Sequence, residues 1–111
     1  MAADRPYTKA TLEAARLLGQ LIKLSRKKRR MSESELAVRA HIARSTLQKI
    51  EKGDPTINIG LVFEAANVVG VALFNANDSH DLRRHNDFLT DQLTLLTRKS
   101  KKDDSELKDD F

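Results

Sequence analysis

A sharp helix start at Ser32 and an equally sharp stop at Gly53 constrain this chain more than any other feature of its sequence. Ser32 and Glu35 have the spacing of a capping box, set just before Leu36. Leu36, Ala37 and Ala40 then share a small apolar face suited to close helix packing, and the pattern stops at His41. A second pattern runs from Arg44 to Lys52 with Leu47 and Ile50 as its inward residues. Gly53 stands where a helix-ending residue with positive φ is wanted, and Asp54-Pro55 marks a turn. Helices of about two turns are marginal alone, so this pair must be held against longer neighbours.

Those neighbours are visible on both sides. Residues 1–10 read as a flexible arm, with Pro6 breaking any early helix. From Thr11 a long helical pattern carries two adjacent stripes: Leu12, Ala15, Leu18 and Ile22, then Ala14, Leu17, Leu21 and Leu24. One stripe serves a core and the other is available to a partner chain. Beyond the short pair, Asn58 can cap a helix carrying Ile59, Leu61, Val62, Phe63, Ala65, Ala66, Val68 and Val69. It is apolar around most of its circumference, so it is expected to be the buried central helix, ended by Gly70. The stretch from Val71 to Phe74 fits a strand, a helical turn or a packed connection. Ser79 can cap a final helix with Leu82, Leu89 and Leu96 at seven-residue spacing and Leu93 between them. The expected architecture is all-α: an arm at 1–10, a compact domain at 11–74, a helical extension at 75–99 for dimer or partner contact, and a disordered charged tail at 100–111.

Composition narrows the function. Aromatics are 5% of the residues and Trp is absent, so the core must be aliphatic. Without cysteine there is no disulfide framework, thiolate metal site or thiol redox chemistry. Met1 to Pro6 lacks an apolar secretory core, and no apolar run reaches membrane-spanning length. A soluble cytoplasmic protein with no membrane partner is expected. His41, His80 and His85 lack metal-ligand spacing, and there is no glycine-rich phosphate loop. No catalytic residue, metal or cofactor is expected, and the chain does not read as an enzyme.

Charge points to a polyanion. Residues 1–60 carry thirteen Lys and Arg against six Asp and Glu, whereas residues 61–111 carry seven against ten. A basic first half with an acidic second half suits a nucleic-acid partner, although a well-solvated surface gives the same count. Lys23, Arg26, Lys27, Lys28, Arg29 and Arg30 crowd the end of the first long helix. Favourable interaction with the helix dipole accounts for one or two of them, not six.

The second short helix supplies the reading surface. With Leu47 and Ile50 inward, Arg44, Ser45, Gln48, Lys49 and Lys52 share its outer face. The major groove admits one α-helix and presents a distinct donor and acceptor pattern for each base pair. Arg pairs bidentately with guanine and Gln with adenine. Base reading is therefore expected from Arg44, Ser45, Gln48 and Lys49. Phosphate contact is expected from Lys27, Lys28, Arg30 and Lys52, and from the hydroxyls of Ser32 and Thr46.

From Gly19 to Phe74 the chain resembles the phage-repressor-like (XRE, Cro-type) helix-turn-helix family. Leu18-Gly19, Ile22-Lys23, Arg26, Met31-Ser32, Glu35-Leu36-Ala37, Ala40 and the run from Arg44 to Gly53 carry the resemblance. It implies a five-helix domain acting as a dimer, with the second helix of the motif in the major groove of a palindromic operator. Three positions depart from the family pattern. His41 stands where Gly is common, Ala43 where Ser or Thr caps the recognition helix, and Glu33 where Gln helps hold a phosphate. His can adopt the left-handed conformation. The missing cap costs about 1 kcal/mol, and a carboxylate at Glu33 repels phosphate.

Two segments are candidates for dimer or partner contact: Val71, Leu73 and Phe74, and the stripe of Leu82, Leu89 and Leu96. The stripe could equally pack back on the Val62/Phe63 helix. The stretch from Gly53 to Thr56, with Ile59-Gly60, Gly70-Val71 and Leu73-Phe74, also resembles antitoxin-repressors paired with HipA-like kinase toxins. That resemblance implies an autoregulating antitoxin of the bacterial cytoplasm, associated with the nucleoid when bound to its operator. The alternatives are a phage- or mobile-element-type repressor without a toxin, and an interaction adaptor that has lost DNA binding.

Overall fold

The computed structural model describes residues 6–107, with side chains as far as Lys99. It contains five helices and no strand among the described residues: α1 (Lys9–Lys28), α2 (Glu33–Ala40), α3 (Arg44–Glu51), α4 (Ile59–Val68) and α5 (Ser79–Leu107). The architecture is all-α. The fifth helix and the C-terminal helical extension are one element. The chain divides into two units between Leu73 and Phe74.

In the first unit, α1 begins two residues before the apolar pattern because Thr8 caps it, its hydroxyl accepting from the Thr11 N–H at 3.2 Å. Residues 1–5 of the expected arm lie outside the described residues. Four helix ends then repeat one device. Arg30, His41, Gly53 and Gly70 have φ of 55°, 56°, 86° and 75°. After each, an N–H reaches back to a carbonyl five residues earlier: Met31 to Arg26 at 3.1 Å, Ile42 to Ala37 at 3.0 Å, Asp54 to Lys49 at 3.0 Å, and Val71 to Ala66 at 2.9 Å. These are Schellman closures, which satisfy carbonyls the helix leaves without partners. His41 takes the left-handed conformation that the sequence allowed it.

The core gathers Ile22, Leu36, Leu47 and Val69, all fully buried, with Ala37, Ala40, Ile50, Ala65 and Ala66. Helix α2 packs on α3 and α4, and α1 packs on α3. Alanines on α2 and α4 allow a close approach without large side chains. Gly19 does the same for α1 and α3, since a Cβ there would collide with the Ile50 carbonyl oxygen. Helix α4 differs from expectation. Ala65, Ala66 and the following Val69 are buried, but Ile59 is 67% exposed and Leu61 also reaches solvent. Its apolar circumference therefore exceeds the surface available to cover it. Of the two stripes on α1, Leu18 and Ile22 enter the core, whereas Leu17, Leu21 and Leu24 are exposed.

In the second unit, Asp78 rather than Ser79 caps α5, its Oδ1 accepting from the Asp81 N–H at 2.9 Å. The Asp81 carboxylate accepts in turn from the Asn77 N–H at 3.0 Å. No Gly or Pro interrupts the run from Ser79 to Leu107, and the helix continues through residues 100–107, where composition suggested disorder. Residues 108–111 of that tail lie outside the described residues. Leu82 is half-buried, whereas Leu89 and Leu96 are 56% and 59% exposed.

Candidate nucleic-acid interface

Helix α3 is anchored from beneath and bare above. Leu47 and Ile50 are buried, and three residues, His41, Ile42 and Ala43, separate it from α2. Ile42 packs against the core and fixes the turn. Arg44, Ser45, Lys49 and Lys52 are exposed, while Gln48 and Thr46 are half-buried at the helix flanks. The outward set read from the sequence is therefore brought together on one helix face. Ala43 supplies no side-chain cap to α3. Ser32 caps α2 by accepting from the Glu35 N–H at 3.0 Å. The Glu35 carboxylate, expected to reach back toward Ser32, instead accepts from Arg39 Nη2 at 2.8 Å.

One buried ion pair locks α3 in place, and sequence reasoning missed it. Arg26 Nε donates to Glu51 Oε2 at 2.7 Å and its Nη2 donates to Oε1 at 3.0 Å. Its Nη1 donates to the Met31 carbonyl at 2.9 Å. Both side chains are less than a tenth exposed. The Glu51 hydrogen bonds, opposed by burial, hold the guanidinium pKa above its ordinary value. The signal was available: Glu51 follows Leu47 by four and Ile50 by one, and Arg26 follows Ile22 by four, so helical period places both on buried faces. Opposite charges at two buried positions on neighbouring helices indicate a pair.

This pair divides the basic cluster at the end of α1. Arg26 turns inward to Glu51. The Arg29 guanidinium lies over Gly70, with Nη2 within 2.5 Å of where a Cβ would sit. Lys28 and Arg30 are exposed. Lys23 and Lys27 line a cleft with Gln48 of α3, Lys52 just after it and Glu33 of α2, with Arg26 and Glu51 at its wall. Beyond the end of α3, Asp54 orders the following turn, its Oδ1 accepting from the Thr56 N–H at 2.8 Å and hydroxyl at 2.6 Å. These bonds hold the Asp54 carboxyl below the ordinary aspartate range.

Two short helices at a tight turn, the second polar and cationic on its outer face, have the form of a helix-turn-helix that lays its second helix in a DNA major groove. Residues 22–74 match the family model described as Helix-turn-helix, from the second half of α1 to the turn after α4. That match supports the XRE-type reading and a DNA-binding role in transcription. Comparison with curated proteins and with solved structures gave no match. Among the described residues no helix is long and apolar enough to cross a membrane, and no group of three or more acidic, His or Cys side chains could hold a metal ion.

Of the expected partner-contact residues in the first unit, Val71 and Leu73 are half-buried against the core. In the second unit Phe74 is 73% exposed in the left-handed region, at φ 57°. Phe74, Leu82, Asn86, Phe88 and Leu89 line a groove with His85 on α5.

Proposed function

We propose that the protein is a sequence-specific repressor that binds a palindromic operator as a homodimer. The observation that carries this reading is the outer face of α3, where Arg44, Ser45 and Lys49 are exposed and Gln48 is half-buried at the flank, above a core gripped by Leu47 and Ile50. Those four residues read base edges. Lys27, Lys28, Arg30 and Lys52 hold phosphates, with the Ser32 and Thr46 hydroxyls as neutral donors. Neutralising several phosphates releases counterions, so duplex affinity falls steeply as salt rises. Fluorescence anisotropy on a labelled duplex tests this, and a nearly flat salt dependence would contradict it.

One recognition helix reads too few base pairs to be specific, so two copies place their α3 helices one DNA turn apart. The α5 stripe of Leu82, Leu89 and Leu96 is the dimer element this reading favours, because most of it stands exposed. Val71, Leu73 and Phe74 form the other candidate segment. Sedimentation of a chain cut after Asn77 decides between them: a monomer supports α5, and an undiminished dimer excludes it.

The narrower reading, an autoregulating antitoxin that also binds a HipA-like kinase toxin, rests on the resemblance of Gly53 to Thr56 and the segments after it. Its test is whether the full chain forms a stable complex with a kinase encoded beside it. A locus with no such gene sinks it.

A further inference from the structure

The cleft between the end of α1 and the outer flank of α3 contains one charge of the wrong sign for DNA. Glu33, the first residue of α2, is half-buried there, sharing the cleft with Lys23, Arg26 and Lys27 from α1, Gln48 and Glu51 from α3, and Lys52 just after α3. Glu51 is fully engaged by Arg26. The Arg26 guanidinium is likewise committed, to both Glu51 oxygens and the Met31 carbonyl. Glu33 acts on Arg26 through space alone. With that pair internally neutral, the balance left in the cleft is the positive charge of Lys23, Lys27 and Lys52 against the single negative charge of Glu33.

We propose that Glu33 is a charge gate on the DNA-facing cleft. Its carboxylate opposes the phosphate that Lys23, Lys27 and Lys52 would otherwise draw in, and holds duplex affinity below what the basic rim alone would give. The inference rests on the DNA-binding reading above. A carboxylate only accepts hydrogen bonds and carries the same sign as phosphate, so it cannot turn into a phosphate contact by changing rotamer. The brake acts on the backbone, which every sequence shares, and it therefore lowers binding to all duplexes alike.

The test is a charge series in the full-length chain, read by anisotropy on a labelled duplex pool of random sequence. Glu33→Gln keeps the shape and removes the charge. Glu64→Gln, an exposed residue of α4, makes the same change in net charge elsewhere. At low salt Glu33→Gln should tighten binding about 3–10-fold per protomer and steepen the salt dependence by about 0.9 per protomer. Glu33→Lys should go further in the same direction, and Glu64→Gln should stay close to wild type. Circular dichroism melts confirm that each variant is folded. A Glu33→Gln chain that binds no more tightly than Glu64→Gln overturns the charge gate. So does one that loses affinity, or one whose gain is confined to a single base preference. A wild-type chain that fails to bind duplex overturns the DNA-binding reading itself, a separate outcome from a wild type that binds with an unresponsive Glu33.

Discussion

Replacing Glu51 with Gln probes the element that holds the recognition helix. The change is nearly isosteric, so it opens no cavity. It leaves the Arg26 guanidinium, less than a tenth exposed, without its counter-charge. Breaking a buried ion pair from one side costs about 3–5 kcal/mol, because the remaining charge stays out of water. Little solvent screening discounts that figure at this burial. In a unit of this size each kcal/mol moves Tm by about 4–8 °C, so a fall of more than about 12 °C is expected. Urea unfolding followed by far-UV circular dichroism measures the free energy directly. Replacing both partners, Arg26→Met with Glu51→Met, should cost far less than the sum of the single changes, since a well-packed apolar pair removes the desolvation burden. The reasoning is refuted if Glu51→Gln costs under about 1 kcal/mol and the double replacement is additive.

Gly19→Ala should destabilise by more than about 1 kcal/mol despite alanine's better helix propensity, because its Cβ meets the Ile50 carbonyl at the α1–α3 crossing; an unchanged or raised Tm would mean that the crossing is looser than described. Ala43→Ser should stabilise by about 1 kcal/mol by supplying the cap α3 lacks, and a melt with no gain counts against it. Asp54 contributes stability through a lowered carboxyl pKa. That contribution is present above the unfolded-state pKa and is lost as pH falls through the folded one. The Tm gap between wild type and Asp54→Ala should therefore be widest at neutral pH and close in acid, and a gap that widens in acid contradicts the assignment.

Much of this fold was legible in the residues because its signals are local. The Ser32 cap, the left-handed positions at His41 and Gly53, and the inward pair Leu47 and Ile50 each follow from the geometry of one turn of helix. What was missed depends on two helices meeting. Arg26 and Glu51 lie on faces the period marks as buried, yet their charge argued for solvent until each supplied the other's partner. Gly19 matters only because a carbonyl from α3 arrives above it. Ile59 follows the apolar pattern of α4 but stands 67% exposed in the first turn of that helix. Asp78 and Ser79 are adjacent residues that cap helices equally well on paper, and only the path of the chain selects Asp78. The continuation of α5 to Leu107 was hidden by composition, because a dense charge pattern reads as disorder even where no helix breaker occurs.

The central claim is that α3 reads sequence while the basic rim only holds the duplex. Selection of bound sequences from a random duplex pool tests it most directly, with wild type, Gln48→Ala and Lys28→Ala compared side by side. The wild type should return an inverted repeat with half-sites one helical turn apart. Gln48→Ala should lose about 1–3 kcal/mol on that site and relax one position in each half. Lys28→Ala should weaken every sequence about equally and leave the preferred site intact. A Gln48→Ala profile indistinguishable from wild type, or a Lys28→Ala profile with altered base preference, would contradict the account.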